Sequence, residues 1–246
     1  PLVGVGWGAV PRLGHGRDRL AVSTAALTAH LPGKHDQSTH AHGGAGVRSS
    51  LAQARTVDEV NAAAGAEAKR ITGRTTTFDM AGSDVEVAKE HAEGVLLGME
   101  RYPNVRVGQV VTYGPGGARP DVFAGQPKID SVYAATHIAP TQPGGVIFVE
   151  TIGFNARYAG DSPRYRAGLD HDVAAGYAVK GGPKSTGAHE YGHLAANQTA
   201  SANPAMRVVS DRARMEGVAP SMLIREQVSG YAATSKHELM AEAFAD

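Results

Sequence analysis

Residues 189–193 read His-Glu-Tyr-Gly-His, and this pattern constrains the fold more than any other part of the chain. On an α-helix, residues four positions apart lie on the same face, separated by about 6 Å along the axis. The imidazoles of His189 and His193 can therefore converge on one zinc ion if this segment is helical. Glu190 would lie beside the ion without binding it, which suits it to take a proton from water and deliver it to a leaving amine. The pattern predicts a metal-binding helix over about 185–199.

The composition excludes several other functions. Because the 246 residues contain no cysteine, disulfides and thiolate metal ligands are ruled out. The 24 basic residues balance the 24 acidic ones, so the net charge does not favour nucleic acid or an acidic membrane as a partner. No stretch approaches the roughly 18 apolar residues that a membrane helix needs. We therefore expect neither a nucleic-acid partner nor a membrane span.

The first part of the chain differs in composition from the rest. Gly, His, Ser, Thr and Pro dominate residues 1–50, which predicts a flexible arm. Histidines of this arm could form a second metal site, but a polar arm that buries no core is the better interpretation. We expect one domain over 51–246, with helices and strands in 51–139 and the catalytic part in 140–246. The chain begins with proline and ends inside a helical pattern, so we expect the natural chain to be trimmed or longer.

From residue 51 onward, the patterns predict helices, then strands, then helices again. Residues 56–59 and 83–86 are typical of capping boxes that open helices. β-branched segments bounded by Gly and Pro predict three strands, at 105–113, 132–138 and 146–152. Further helices are expected to begin at Ser162, Met206, Pro220 and Ser235. This order predicts an α+β fold with a small mixed sheet and C-terminal helices.

A catalytic zinc ion needs a third protein ligand besides the two histidines. Glu238 and Glu242 are candidates because they lie four residues apart, on one face of the last helix. One of them could bind the ion while the other orients a ligand histidine, a role for which Asp170 and Asp172 are further candidates. Glu238 has an equally good alternative role, since Ser235-x-x-Glu238 is itself a capping box.

Two short blocks resemble the gluzincin metallopeptidases of the anthrax lethal factor type. The first contains Tyr191 and Gly192 of the motif; the second combines Ser-Gly-Tyr at 229–231 with Glu-x-x-Ala-Glu-Ala-Phe at 238–244. The resemblance covers about residues 140–246. It implies a zincin-like domain that binds one Zn²⁺ per chain and hydrolyses peptide bonds.

The resemblance also implies a role for each matching residue. His189, His193 and Glu238 correspond to the zinc ligands, and Glu190 corresponds to the base. Glu242 corresponds to the second carboxylate of the last helix. Tyr231 corresponds to a tyrosine that donates to the oxyanion of the tetrahedral intermediate. A tyrosine at the end of a helix could instead pack on the core.

The substrate would be a protein or a peptide. In this family a strand runs along the cleft and binds the substrate backbone. Val146, Ile147 and Phe148 are the candidates for this strand because they precede the metal helix. Their composition fits an ordinary core strand equally well.

Residues 31–40, Leu-Pro-Gly-Lys-His-Asp-Gln-Ser-Thr-His, resemble a segment of tailed-phage head and minor capsid proteins. This resemblance implies a phage-encoded, particle-associated enzyme with capsid or portal proteins as partners, located in the virion or in the host cytoplasm during assembly. Two alternatives stay open: a capsid or assembly component whose zinc is structural, and a secreted toxin-type protease. An open coordination position would favour an enzyme over a structural component.

Overall fold

The structure is a computed structural model that describes residues 50–126, 128–137, 149–179, 181–200 and 202–245. The predicted arm lies outside these residues apart from Ser50, and so does its phage-like segment. Val146, Ile147 and Phe148 also lie outside the described residues. None of the described helices is long and apolar enough to cross a membrane.

The described elements follow the predicted α+β order. The first are α1 (Val57–Thr72), β1 (Thr77–Asp79), α2 (Val85–Arg101) and β2 (Gln109–Tyr113). The middle elements are β3 (Ala134–His137), β4 (Thr151–Asn155) and the short helix α3 (Ala156–Ala159). The last are α4 (Ser162–Ala174), α5 (Pro183–Gln198), α6 (Ala202–Glu216), α7 (Pro220–Gln227) and α8 (Lys236–Ala245). The α+β class is confirmed.

Side-chain caps explain where the first two long helices begin. At α1, Thr56 Oγ1 accepts from the Glu59 amide at 3.2 Å, and the Glu59 carboxylate accepts from the Thr56 amide at 3.2 Å. This confirms the first predicted capping box. The second prediction was wrong by one residue, because Asp84 caps α2 and accepts from the amides of residues 86 and 87. A carboxylate at this position also faces the positive end of the helix dipole.

The four strands form one mixed sheet in the order β1-β2-β4-β3. Strands β1, β2 and β4 are parallel, whereas β3 runs antiparallel to β4 at one edge. The prediction for 105–113 was too long, because Val105 and Val107 are buried without belonging to the strand. Strand β1 was not predicted, since three residues are too few to show alternation.

Helix α5 lies between α2 and α8 and also contacts the edge strand β3. Its contact with α2 depends on glycines. A Cβ atom at Gly94 would overlap the Lys184 carbonyl oxygen and lie 2.7 Å from the Ala188 nitrogen. A Cβ atom at Gly187 would overlap the His91 carbonyl oxygen. The backbones of α2 and α5 therefore approach each other more closely than any larger residue would allow.

Gly94→Ala should destabilise the fold, because the added methyl group meets backbone atoms that cannot move independently. We expect a loss of about 1–3 kcal/mol in the free energy of unfolding, measured by denaturant titration. Gly65→Ala in α1 is a matched control, since its Cβ atom would lie at an ordinary contact distance, 3.6 Å from the Thr76 carbonyl oxygen. Equal losses in both variants would contradict the close helix contact.

His91 of α2 is buried under the sheet. Its ring stacks on Phe154 with centroids 3.7 Å apart, and its Nε2 lies 3.1 Å from the Tyr165 hydroxyl. Burial, with a smaller contribution from the charge of Arg166, lowers the pKa of His91 to about 3. The folded protein therefore keeps this imidazole neutral across the mildly acidic range.

Stability should consequently fall as the pH decreases below the pKa of an unfolded histidine, about 6.5. Between pH 6.5 and about 3, His91 binds a proton in the unfolded state but stays neutral in the folded state. This costs up to about 1.4 kcal/mol per pH unit. Chemical unfolding of the metal-free protein from pH 7 to 4 should show a shallower pH dependence for His91→Gln than for wild type. Identical slopes would contradict the neutral state of His91.

Candidate metal centre

The packing of α5 against α8 brings the predicted site residues together. Gly192 permits this contact, because a Cβ atom there would lie 2.8 Å from the Ala241 Cα atom and 3.0 Å from the Phe244 Cβ atom. Tyr191 points into the core, and its hydroxyl donates to the Tyr102 carbonyl oxygen at 2.6 Å. The two middle residues of the motif thus position the helix, whereas its outer residues carry the polar side chains of the site.

Three side-chain atoms converge where α5 packs against α8. His189 Nε2 and His193 Nε2 are 3.1 Å apart, and Glu238 Oε2 lies 3.2 Å from the first and 3.3 Å from the second. Although these distances are short, no donor among the described residues meets Glu238 Oε2 with hydrogen-bond geometry. In a tetrahedral zinc site with bonds of about 2.0–2.1 Å, neighbouring ligand atoms are about 3.3 Å apart. The three atoms have the spacing of one face of such a site.

Glu190 is the other carboxylate near the two histidines. His189, Glu190 and His193 each offer a donor atom within 4.8 Å of the others. However, Glu190 Oε2 accepts a hydrogen bond from Thr136 Oγ1 of β3 at 2.6 Å. Glu238 lies closer to both imidazole nitrogens, which favours it over Glu190 as the candidate for a third donor. Sequence analysis missed Thr136, because nothing in its strand pattern shows that it faces α5.

Glu242 orients His189 from behind. Its Oε1 lies 2.9 Å from His189 Nδ1, and its Oε2 accepts from the Val179 amide at 2.9 Å and from Ser229 Oγ at 2.8 Å. Burial by itself would raise the pKa of Glu242, but these interactions, led by the one with His189, lower it. An ionised Glu242 directs His189 Nε2 toward the other two donors. Of the candidates for an orienting carboxylate, Glu242 is the one that contacts His189 Nδ1.

Without a metal ion, the site retains a proton on His189. Burial opposes this charge, but pairing with the carboxylates of Glu238 and Glu242 and the charge of Glu190 outweigh burial and raise the pKa of His189 to about 10. The same pairing lowers the pKa of Glu238 in spite of its burial. Because a metal ion must displace this proton, metal affinity should increase with pH.

Tyr231 lies beside the donor atoms. Its ring stacks on that of His189 with centroids 5.6 Å apart and an angle of 16° between the planes. The Tyr231 amide donates to the Tyr177 carbonyl oxygen at 2.8 Å, which fixes the segment before α8. Burial, followed by the charges of Glu238 and Glu190, raises the pKa of Tyr231. Its hydroxyl therefore stays protonated and can donate a hydrogen bond.

Comparisons of the chain with protein-family models, curated proteins and solved structures gave no match. The resemblance to gluzincins therefore stays a prediction based on two short blocks. The convergence of the donor atoms is a separate observation, because it follows from the packing of α5 and α8.

Glu242→Gln should weaken zinc binding without abolishing it. The amide cannot match the charge of the carboxylate that orients His189, and loss of such an outer partner costs about 10- to 100-fold in metal affinity. Competition with a chromophoric chelator measures this change. Glu226→Gln on the exposed face of α7 is the matched control. Unchanged zinc affinity in Glu242→Gln would contradict the orienting role.

Proposed function

We propose that this protein is a zinc-dependent metalloendopeptidase with a zincin-like domain, in which His189, His193 and Glu238 hold the ion. The observation that carries the proposal is the mutual spacing of their donor atoms, at 3.1, 3.2 and 3.3 Å. A structural zinc site has four protein ligands, whereas a catalytic site has three and an open position. Three converging donors, with Glu190 held aside by Thr136, support an enzyme over a structural component.

The chain's own residues supply the remaining chemistry of peptide hydrolysis. Zinc held by the three donors would lower the pKa of a water molecule and polarise the substrate carbonyl. Glu190 would act as the base at Oε1, since Oε2 accepts a hydrogen bond from Thr136. It then delivers the proton to the leaving amine. The protonated Tyr231 hydroxyl donates to the oxyanion that forms on the substrate.

The edge strand β3 is a suitable place for the substrate backbone. It pairs with β4 on one side, and in the described residues no strand pairs with its other side. Thr136 of this strand contacts Glu190, so a peptide added to the edge would run past the base. Residues 146–148, for which this role was predicted, lie outside the described residues, so β3 is the candidate among the described strands.

The proposal is tested by metal analysis and peptide digestion. Purified protein should contain about one zinc ion per chain and cleave internal bonds of unfolded proteins or library peptides. A chelator should abolish cleavage, and added zinc should restore it. Absence of zinc from the wild-type protein would refute the proposal. Bound zinc without cleavage of any substrate would favour a structural role.

A further inference from the structure

A cavity of about 300 Å³ opens beside the candidate metal centre. His189 and Glu190 line one side of it. The remaining walls are largely aromatic and aliphatic, and they include Tyr133, Tyr177, Tyr231, Leu169 and Val132. This volume is at the lower end of the range for ligand pockets, which suits one large amino-acid side chain.

Asp172 is one of three carboxylates that line this cavity, together with Glu190 and Glu242. It belongs to the last turn of α4, where the helix dipole disfavours an acidic side chain. Its position therefore does not serve the stability of α4. Asp172 is half-buried, and no ion pair among the described residues includes it. Burial raises the pKa of Asp172, and this effect outweighs the charge of His171 and a hydrogen bond with Tyr133, which both act to lower it.

The other two carboxylates of the cavity are held in place by residues of the candidate metal centre and of β3. Glu190 is held by Thr136, and Glu242 is held by His189 and by two further donors. Among the described residues that line the cavity there is no lysine or arginine. A cationic group that enters the cavity would therefore meet the Asp172 carboxylate, which has the uncharged Tyr133 hydroxyl as a partner, and no lysine or arginine of the described lining would repel it.

We propose that this cavity selects a lysine or arginine side chain next to the scissile bond, with Asp172 as the partner of its cationic group. Tyrosine faces attract cations, and the aliphatic stems of lysine and arginine pack well on apolar walls. An apolar side chain would desolvate Asp172 without compensation, and an acidic one would be repelled. The inference rests on the proposed peptidase function, because it places the selected side chain beside the reacting bond.

Digestion of a degenerate peptide library by the zinc-loaded protein tests this selectivity. Lysine and arginine should be enriched on one side of the cleavage sites, with kcat/KM about tenfold or more above that of a matched methionine peptide. Asp172→Asn should remove this preference, and Asp172→Lys should shift it toward acidic residues. Asp170→Asn, exposed on the same helix, is the matched control and should keep the preference. A preference that is apolar, or that survives in Asp172→Asn, would overturn the inference.

Binding to the zinc-loaded Glu190→Gln variant separates failure of the pocket from failure of the proposed function. Peptides with lysine should be retained on this immobilised protein more strongly than their methionine counterparts, and Asp172→Asn should abolish the difference. Such retention without cleavage by the wild type would support the pocket and contradict the peptidase. Cleavage without a basic preference would support the peptidase and contradict the pocket. Neither cleavage nor selective retention would contradict both.

Discussion

Glu190→Gln is expected to keep its zinc ion and to lose peptidase activity by about 10³-fold or more. The amide cannot accept the proton that hydrolysis releases. Zinc should be retained because the three proposed donor atoms belong to His189, His193 and Glu238. The amide can still accept a hydrogen bond from Thr136 through its carbonyl oxygen, so the geometry should be preserved. Metal analysis and kcat/KM on a cleaved peptide measure the two effects separately.

The exposed substitution Glu226→Gln on α7 is the control for the kinetic effect. It should leave both zinc content and activity at wild-type levels. If Glu190→Gln keeps wild-type activity, another group must be the base. If it loses zinc as well as activity, Glu190 belongs among the ligands, and the assignment of Glu238 as third donor is wrong.

Glu238→Gln is expected to lose zinc and, with it, all measurable activity. Removing the charged donor should weaken zinc binding by more than the roughly 10- to 100-fold that loss of an outer partner costs. The start of α8 should survive, because Ser235 Oγ accepts from the Glu238 backbone amide at 3.1 Å independently of the side chain. Chelator competition measures the affinity, and circular dichroism checks the helix content.

Comparison with Glu242→Gln makes this second prediction specific. The two carboxylates lie one turn apart on α8, so both variants remove one charge from the same helix. The expected order of zinc affinity is wild type, then Glu242→Gln, then Glu238→Gln. The reverse order of the two variants would exchange the roles of ligand and orienting carboxylate.

The helix that carries the motif and the shared face of Glu238 and Glu242 were predictable, because both depend on spacing along one helix. The choice between the two carboxylates depends on how α8 packs against α5, which local spacing does not contain. Local sequence also fails to decide which residue caps α2. Ser83 and Asp84 are both good caps by composition, and the backbone conformation at Asp84 decides between them.

Contacts between distant segments were not predictable from the pattern. Thr136 contacts a residue 54 positions later in the chain. The Val179 amide reaches Glu242 across 63 positions. Neither residue type is unusual in its segment, so composition gives no signal. The tight approach of α2 and α5 is similar, since glycines within helices are explained only by the neighbouring backbone.

The hydrogen bonds of Glu242 connect the candidate metal centre to the wall of the cavity. Val179 follows Tyr177 by two residues, and Tyr177 is joined through its carbonyl oxygen to the Tyr231 amide. A side chain that displaces Tyr177 would therefore also disturb the support of His189. By thermodynamic linkage, a peptide that fits the cavity should tighten zinc binding, and zinc should tighten peptide binding by the same factor. Binding of the metal ion and of the substrate would then be cooperative. Zinc affinity would be lower with a poorly fitting peptide bound than with a well-fitting one.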